Sequence, residues 1–73
     1  MKFEEFIRRL RNRNYNIVAM YEYTWKGESH IYCLVQERDS AMEATAIHDQ
    51  GSNYEYVFDN IIRLVETPIK IQP

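Results

Sequence analysis

The chain has 73 residues, of which 45% are apolar, and it carries a formal net charge of −2 and a single cysteine. This length predicts one domain, near the lower size limit at which a single core holds without a metal or disulfides. The lone Cys33 excludes an internal disulfide framework, and no apolar run approaches the roughly 20 residues that cross a bilayer. We therefore expect a cytoplasmic protein without membrane contact.

Residues 2–13 predict an amphipathic helix. Apolar residues recur on one side of the helical wheel, and charged residues occupy the other side. Asn14 follows, and asparagine tolerates the left-handed conformation that ends many helices. The helix also concentrates positive charge, because four of its residues are arginines, namely Arg8, Arg9, Arg11 and Arg13.

These arginines have a structural and a functional interpretation. Glutamates stand four positions before Arg8 and Arg9, which predicts two intrahelical ion pairs in the favourable orientation. Arg11 and Arg13 are left over. A basic helix on an otherwise acidic body is typical of a surface that contacts phosphate or an acidic partner.

Residues 15–37 predict an antiparallel hairpin. Aromatic and β-branched residues, which favour strands, dominate its first half. Lys26-Gly27 supplies the turn, and a two-residue or a four-residue loop there gives the same register. Strand alternation divides the side chains between two faces. One face carries Val18, Met20, Ile31, Cys33 and Val35, and the other carries Ile17, Ala19, Tyr21, Tyr23, Trp25, His30, Tyr32 and Leu34.

A third strand is predicted over residues 42–48, after a polar break at residues 38–40. Apolar and polar residues alternate loosely in this segment, as they do in a half-buried strand. A helix beginning at Ser40 competes with it, because Met, Glu and Ala favour helix. Residues 49–51 then predict a linker to the next element.

A second helix is predicted over residues 53–66. Ser52 and Glu55 have the spacing of a capping box, and an apolar stripe at helical spacing follows them. Pro68 disfavours helix at the residue before it and ends the run. In the tail over residues 67–73, Ile69-Lys70-Ile71 either forms a short edge strand or frays.

The element order α-β-β-β-α predicts an α+β fold. We expect a three-stranded antiparallel sheet flanked by N- and C-terminal helices on one face. In length and element order this layout resembles the double-stranded-RNA-binding domain, which implies its topology. That family opens its last helix with lysines that contact phosphates. Here the corresponding residues are Asn53, Tyr54, Glu55 and Tyr56, so the resemblance does not imply RNA binding.

The residues that carry catalytic or metal chemistry are sparse in this sequence. Cys33 is the candidate thiol nucleophile, but His30 lies three residues away on a strand and therefore points to the opposite face. Among apolar neighbours, Cys33 is expected to be a small buried side chain. We expect no enzymatic activity, no metal and no cofactor.

The hairpin's aromatic side chains are the candidate binding residues. If the helices cover the face of Cys33 and Val35, then Tyr21, Tyr23, Trp25, His30 and Tyr32 lie on the open side. Contiguous exposed aromatics mark binding surfaces. They could bind a protein or a second copy, or they could stack on nucleic-acid bases. In the remaining alternative the faces are reversed, and these rings form the core.

The sequence therefore predicts a small non-enzymatic protein-interaction module, with a homodimer as one form of that interaction. Small acidic chains of this kind are often encoded by phages or mobile elements, where some inhibit host defence proteins. The alternative function is nucleic-acid binding through the four arginines of the first helix and the aromatic face.

Overall fold

A computed structural model describes residues 1–39 and 45–67. The first helix, α1, spans Phe3–Asn12, and three strands follow: β1 at Tyr15–Trp25, β2 at Glu28–Glu37 and β3 at Ala46–Gly51. The second helix, α2, spans Tyr54–Glu66. The strands form an antiparallel sheet in the order β1-β2-β3, so the predicted α-β-β-β-α fold is confirmed.

The core lies between the two helices and one face of the sheet. The buried side chains of β2 are Ile31, Cys33 and Val35, which alternate along the strand as the pattern predicted. The helices bury their apolar stripes against them through Phe6, Leu10, Val57, Phe58, Ile61, Ile62 and Val65. The face of Cys33 and Val35 is therefore the core face, and the alternative in which the tyrosines form the core is wrong.

A β-bulge in β1 changes part of the predicted face assignment. Ile17 pairs with Val35, but the next pair joins Ala19 to Leu34, so Val18 is an extra residue without a partner across the ladder. Ile17 consequently packs against the core, whereas Val18 is exposed. The prediction placed Ile17 on the face of the tyrosines and Val18 on the face of Cys33; Ile17 instead contacts the core and Val18 is exposed, because simple alternation cannot anticipate an inserted residue.

The hairpin turn and the end of α1 agree with the sequence interpretation. Lys26 and Gly27 both adopt positive φ, 53° and 78°, as a two-residue type I′ turn requires, and Trp25 pairs with Glu28. Asn14 also has positive φ, 64°, just after α1. These positions use the left-handed conformation where the chain must reverse.

The entry to α2 differs from the predicted one. β3 continues to Gly51, so the predicted linker at residues 49–51 is strand, and the predicted span of 42–48 ends too early. The N-cap is therefore Asn53 and not Ser52: the Asn53 side-chain oxygen accepts a hydrogen bond from the backbone N–H of Tyr56 at 3.1 Å. Residues 42–44 and the competing helix from Ser40 lie outside the described residues, as does the predicted edge strand at 69–71.

Candidate functional site

The face of the sheet opposite the helices carries a continuous group of aromatic side chains, which we call the aromatic face. Tyr21, Tyr23 and Trp25 come from β1, His30 and Tyr32 from β2, and His48 and Gln50 from β3. All of them alternate with the core-facing positions of their strands, and this alternation directs them away from the helices.

The rings of this face form two rows that run across the strands. In the first row Tyr21 stacks on Tyr32 with centroids 5.1 Å apart, and Tyr32 stacks on His48 at 5.9 Å. In the second row Tyr23 stacks on His30 at 5.4 Å. Tyr21 and Tyr23 join the rows at 6.1 Å. Cross-strand aromatic pairs of this kind stabilise a sheet and hold the rings in fixed orientations.

The aromatic face is exposed to solvent. Tyr21 is 52% exposed and Trp25 is 61% exposed, while Tyr23, His30 and Tyr32 are half-buried by one another. No described helix packs on this side, since both helices cover the opposite face. Several of the largest apolar side chains of this small domain are thus exposed to water. Each ring that a partner covers would contribute favourably to the free energy of binding.

The aromatic face carries little formal charge. Among the described residues its one carboxylate is Glu28, next to Trp25 across the hairpin, and the adjacent turn holds one cation, Lys26, whose Nζ lies 5.8 Å from the Trp25 ring centroid. One polar contact orders the edge near β3, where the Tyr23 hydroxyl donates to Gln50 Oε1 at 2.9 Å. The surface is therefore apolar and hydrogen-bonding in character, and it is not a basic surface.

The arginines of α1 lie away from this face and have different roles. Arg9 joins the two helices, because its guanidinium donates to both carboxylate oxygens of Glu66, at 2.8 Å and 2.5 Å, and to Glu5 at 3.0 Å. The charge of Arg9 holds the pKa of Glu66 below its ordinary value. Within residues 1–39 and 45–67 the exposed side chains of Arg8, Arg11 and Arg13 form no hydrogen bond or ion pair, although the charge of Arg13 also lowers the pKa of Glu66. The predicted Glu5–Arg9 ion pair is confirmed, whereas no Glu4–Arg8 pair is present.

Cys33 lies at the centre of the core and is fully buried. Burial, together with the nearby charge of Asp49, raises the pKa of its thiol to about 11. A thiol in this environment is neutral at pH 8 and unreactive, because the thiolate is the nucleophile.

The buried position of Cys33 gives a direct test of core integrity. We expect a thiol reagent at pH 8 to label Cys33 only as fast as the native protein opens, and to label it at once in denaturant. A Ser29→Cys, Cys33→Ala variant carries its thiol on the exposed hairpin and should react rapidly. Native labelling of Cys33 at the Ser29→Cys rate would contradict the described core.

Two residues of the aromatic face, His48 and Gln50, were missed by the sequence interpretation. The sequence predicts a third strand that ends at residue 48 and a linker at residues 49–51. The signal was present in the alternation, since Ile47, Asp49 and Gly51 occupy the core side and His48 and Gln50 the other. Short strands with Gly and Asp at their ends are easily mistaken for loops.

The described residues contain no group of His, Cys, Asp and Glu arranged to hold a metal ion. Across residues 1–39 and 45–67, no helix has both the length and the apolar character that a bilayer span requires. Comparison with protein-family models, with curated proteins and with solved structures finds no match to this chain.

Proposed function

We propose that this protein is a small non-enzymatic module that binds another protein through its aromatic face. The observation that carries the proposal is the pair of ring rows formed by Tyr21, Tyr32 and His48 and by Tyr23 and His30, exposed on a face that no described helix covers. Tyrosine and tryptophan dominate binding hot spots, because they bring large area with few rotatable bonds and a polar tip.

The charge of the face favours a protein over a nucleic acid. Proteins that stack bases on aromatic rings surround them with cations that follow the phosphate backbone. Here Lys26 is the cation beside the rings, and it is balanced by Glu28 across the same turn. Of the four arginines in the first helix and its cap, Arg9 already forms ion pairs with two carboxylates, those of Glu5 and Glu66. A protein partner requires no such positive field.

The small size and acidic composition of the chain support one kind of partner in particular. Chains of this type are frequent among the products of phages and mobile elements, where some bind and block a host protein. We therefore extend the proposal to an inhibitor of a host protein, with the aromatic face as the contact.

The proposal is tested by pull-downs from a lysate of the native host, in which the proteins retained by three immobilised baits are compared. The first bait is the native protein, the second is the Tyr21→Ser, Tyr32→Ser variant, and the third is Tyr56→Ser. Tyr56 is 60% exposed on α2 and belongs to neither of the two ring rows. We expect a protein that is retained by the native and Tyr56→Ser baits and lost with the double variant. Its affinity for the purified chain should fall at least about tenfold in the double variant, because two hot-spot rings are removed.

Two results would oppose this function. Equal retention by all three baits would place the contact elsewhere on the molecule. Retention of duplex or single-stranded nucleic acid, with an affinity that falls steeply as salt is added, would instead support the alternative in which Arg8, Arg11 and Arg13 contact phosphates. Circular dichroism of each variant verifies that its fold is retained.

A further inference from the structure

The tip of the hairpin forms one wall of an open cavity of about 530 Å³, which we call the tip pocket. The pairing of β3 ends where Gly51 meets Ile31, so the hairpin pairs beyond that point project past the third strand. The chain leaving β3 forms the second wall. The lining residues are Tyr23, Trp25, Glu28, His30, Gln50, Gly51 and Ser52.

The tip pocket combines aromatic faces with a carboxylate. Glu28 is well exposed, with 78% of its side chain accessible, and the imidazole Nε2 of His30 lies 3.9 Å from one of its carboxylate oxygens. The Tyr23 hydroxyl uses its proton on Gln50 and so keeps its oxygen lone pairs available. The described residues that line the pocket include no lysine or arginine. These walls therefore offer negative charge, acceptors and ring faces to a ligand.

The position of Lys26 shows that a cation is compatible with this environment. Its Nζ lies over the Trp25 ring, 5.8 Å from the centroid, which is within the range of a cation–π contact. Lys26 stands beside the pocket and does not line it, so the cavity itself stays open. Among the described residues, the ion-pair partner of Glu28 is a histidine and not a lysine or an arginine.

We infer that the tip pocket binds an arginine side chain of the protein partner. The guanidinium would lie flat against Trp25 and donate to the Glu28 carboxylate, an arrangement that suits its planar fork of donors. Arginine fits better than lysine, because the guanidinium is weakly hydrated and stacks on aromatic rings. A phosphate group is disfavoured at the same position, because it would face Glu28. This inference rests on the proposed protein-binding function, and it specifies one side chain through which the partner protein would be held.

The experiment uses the intrinsic fluorescence of the intact protein, since Trp25 is the one tryptophan of the chain and lies in the pocket. The probe is N-acetylarginine amide, and its neutral counterpart is N-acetylcitrulline amide, which has nearly the same shape. We expect saturable binding of the arginine amide in the millimolar range. The citrulline amide should bind about tenfold more weakly, because it cannot form the charged contact. Lysine amide should fall between them.

Variants that change one charge each test whether the arginine amide binds next to Glu28. Glu28→Gln should weaken arginine amide binding several-fold, whereas Glu4→Gln, which removes the same charge from an exposed site on α1, should leave it unchanged. Lys26→Asn should strengthen binding, because it removes the competing cation while asparagine suits the left-handed turn position. Equal binding of the arginine and citrulline amides, or an unchanged affinity in Glu28→Gln, would overturn the inference.

The result of the fluorescence titration can be distinguished from the result of the test of the proposed function. The fluorescence titration measures the tip pocket alone, and the bait comparison measures Tyr21 and Tyr32 in the centre of the aromatic face. A tip pocket without preference for the guanidinium, together with loss of the partner in the double tyrosine variant, would refute the arginine anchor and leave the protein-binding function supported.

Discussion

Replacing Phe58 by alanine is expected to remove a large part of the protein's free energy of unfolding. The Phe58 ring is buried, stacks on Phe6 at 4.3 Å, and contacts the rings of Phe3 and Tyr54 at 5.8 Å and 5.9 Å. Truncating a phenylalanine in such a position costs about 3–5 kcal/mol, the sum of lost burial and an unfilled cavity. A chain of this length has a free energy of unfolding of about 4–11 kcal/mol.

Urea unfolding followed by circular dichroism measures this effect. The urea midpoint of the Phe58→Ala variant should fall well below that of the native protein, and its unfolding should remain one cooperative transition. Leu64→Ala is the matched control, because Leu64 lies on the same helix but is 56% exposed, and its loss should stay within about 0.5 kcal/mol. Comparable losses in the two variants would mean that α2 does not bury the face described.

Self-association through the aromatic face is the second large effect that we expect. The sheet leaves Tyr21 and Trp25 more than half exposed, and a second copy could cover these rings in a twofold contact. In sedimentation equilibrium the mass of the native protein should rise above 8.8 kDa toward the dimer between low and high micromolar concentration. This homodimer is one form of the protein binding that we propose.

The Tyr21→Lys substitution should strongly weaken that association. In a twofold contact each introduced ammonium would be buried against the rings of the other copy or would meet its own symmetry mate, and such contacts cost several kcal/mol, so the association constant should fall roughly a hundredfold. Tyr56→Lys adds the same charge to an equally exposed tyrosine on α2 and should associate as the native protein does. A native protein that stays at 8.8 kDa throughout would contradict the dimer and leave the aromatic face to a different protein.

Local sequence signals predicted the positions where the backbone adopts a left-handed conformation or a helix ends. Asn14, Lys26 and Gly27 were assigned to a helix end and a turn, and all three adopt positive φ. These assignments succeed because few residue types tolerate that conformation, so the constraint acts at a single position and needs no tertiary information. Pro68 likewise predicted the end of α2, and the helix stops at Glu66 with Thr67 extended.

Predictions that depend on strict alternation along a strand, or on where a strand ends, were less accurate. The bulge at Val18 moved Ile17 into the core, and the longer β3 shifted the helix cap from Ser52 to Asn53. Both Ser52 and Asn53 are good capping residues, so local chemistry could not choose between them. The choice followed from where β3 stops pairing with β2, which is a contact between segments about twenty residues apart.

The sequence by itself determined the element order, the α+β class and the two-sided character of the hairpin, because periodicity and turn chemistry are local properties. Only the tertiary structure decided which face became the core. Both faces of the hairpin carry bulky apolar side chains, and alternation alone ranks neither above the other. The helices settled the question by packing their apolar stripes on the face of Cys33 and Val35. That packing places aliphatic side chains in the dry interior and leaves in water the tyrosines and Trp25, whose polar groups remain hydrated there.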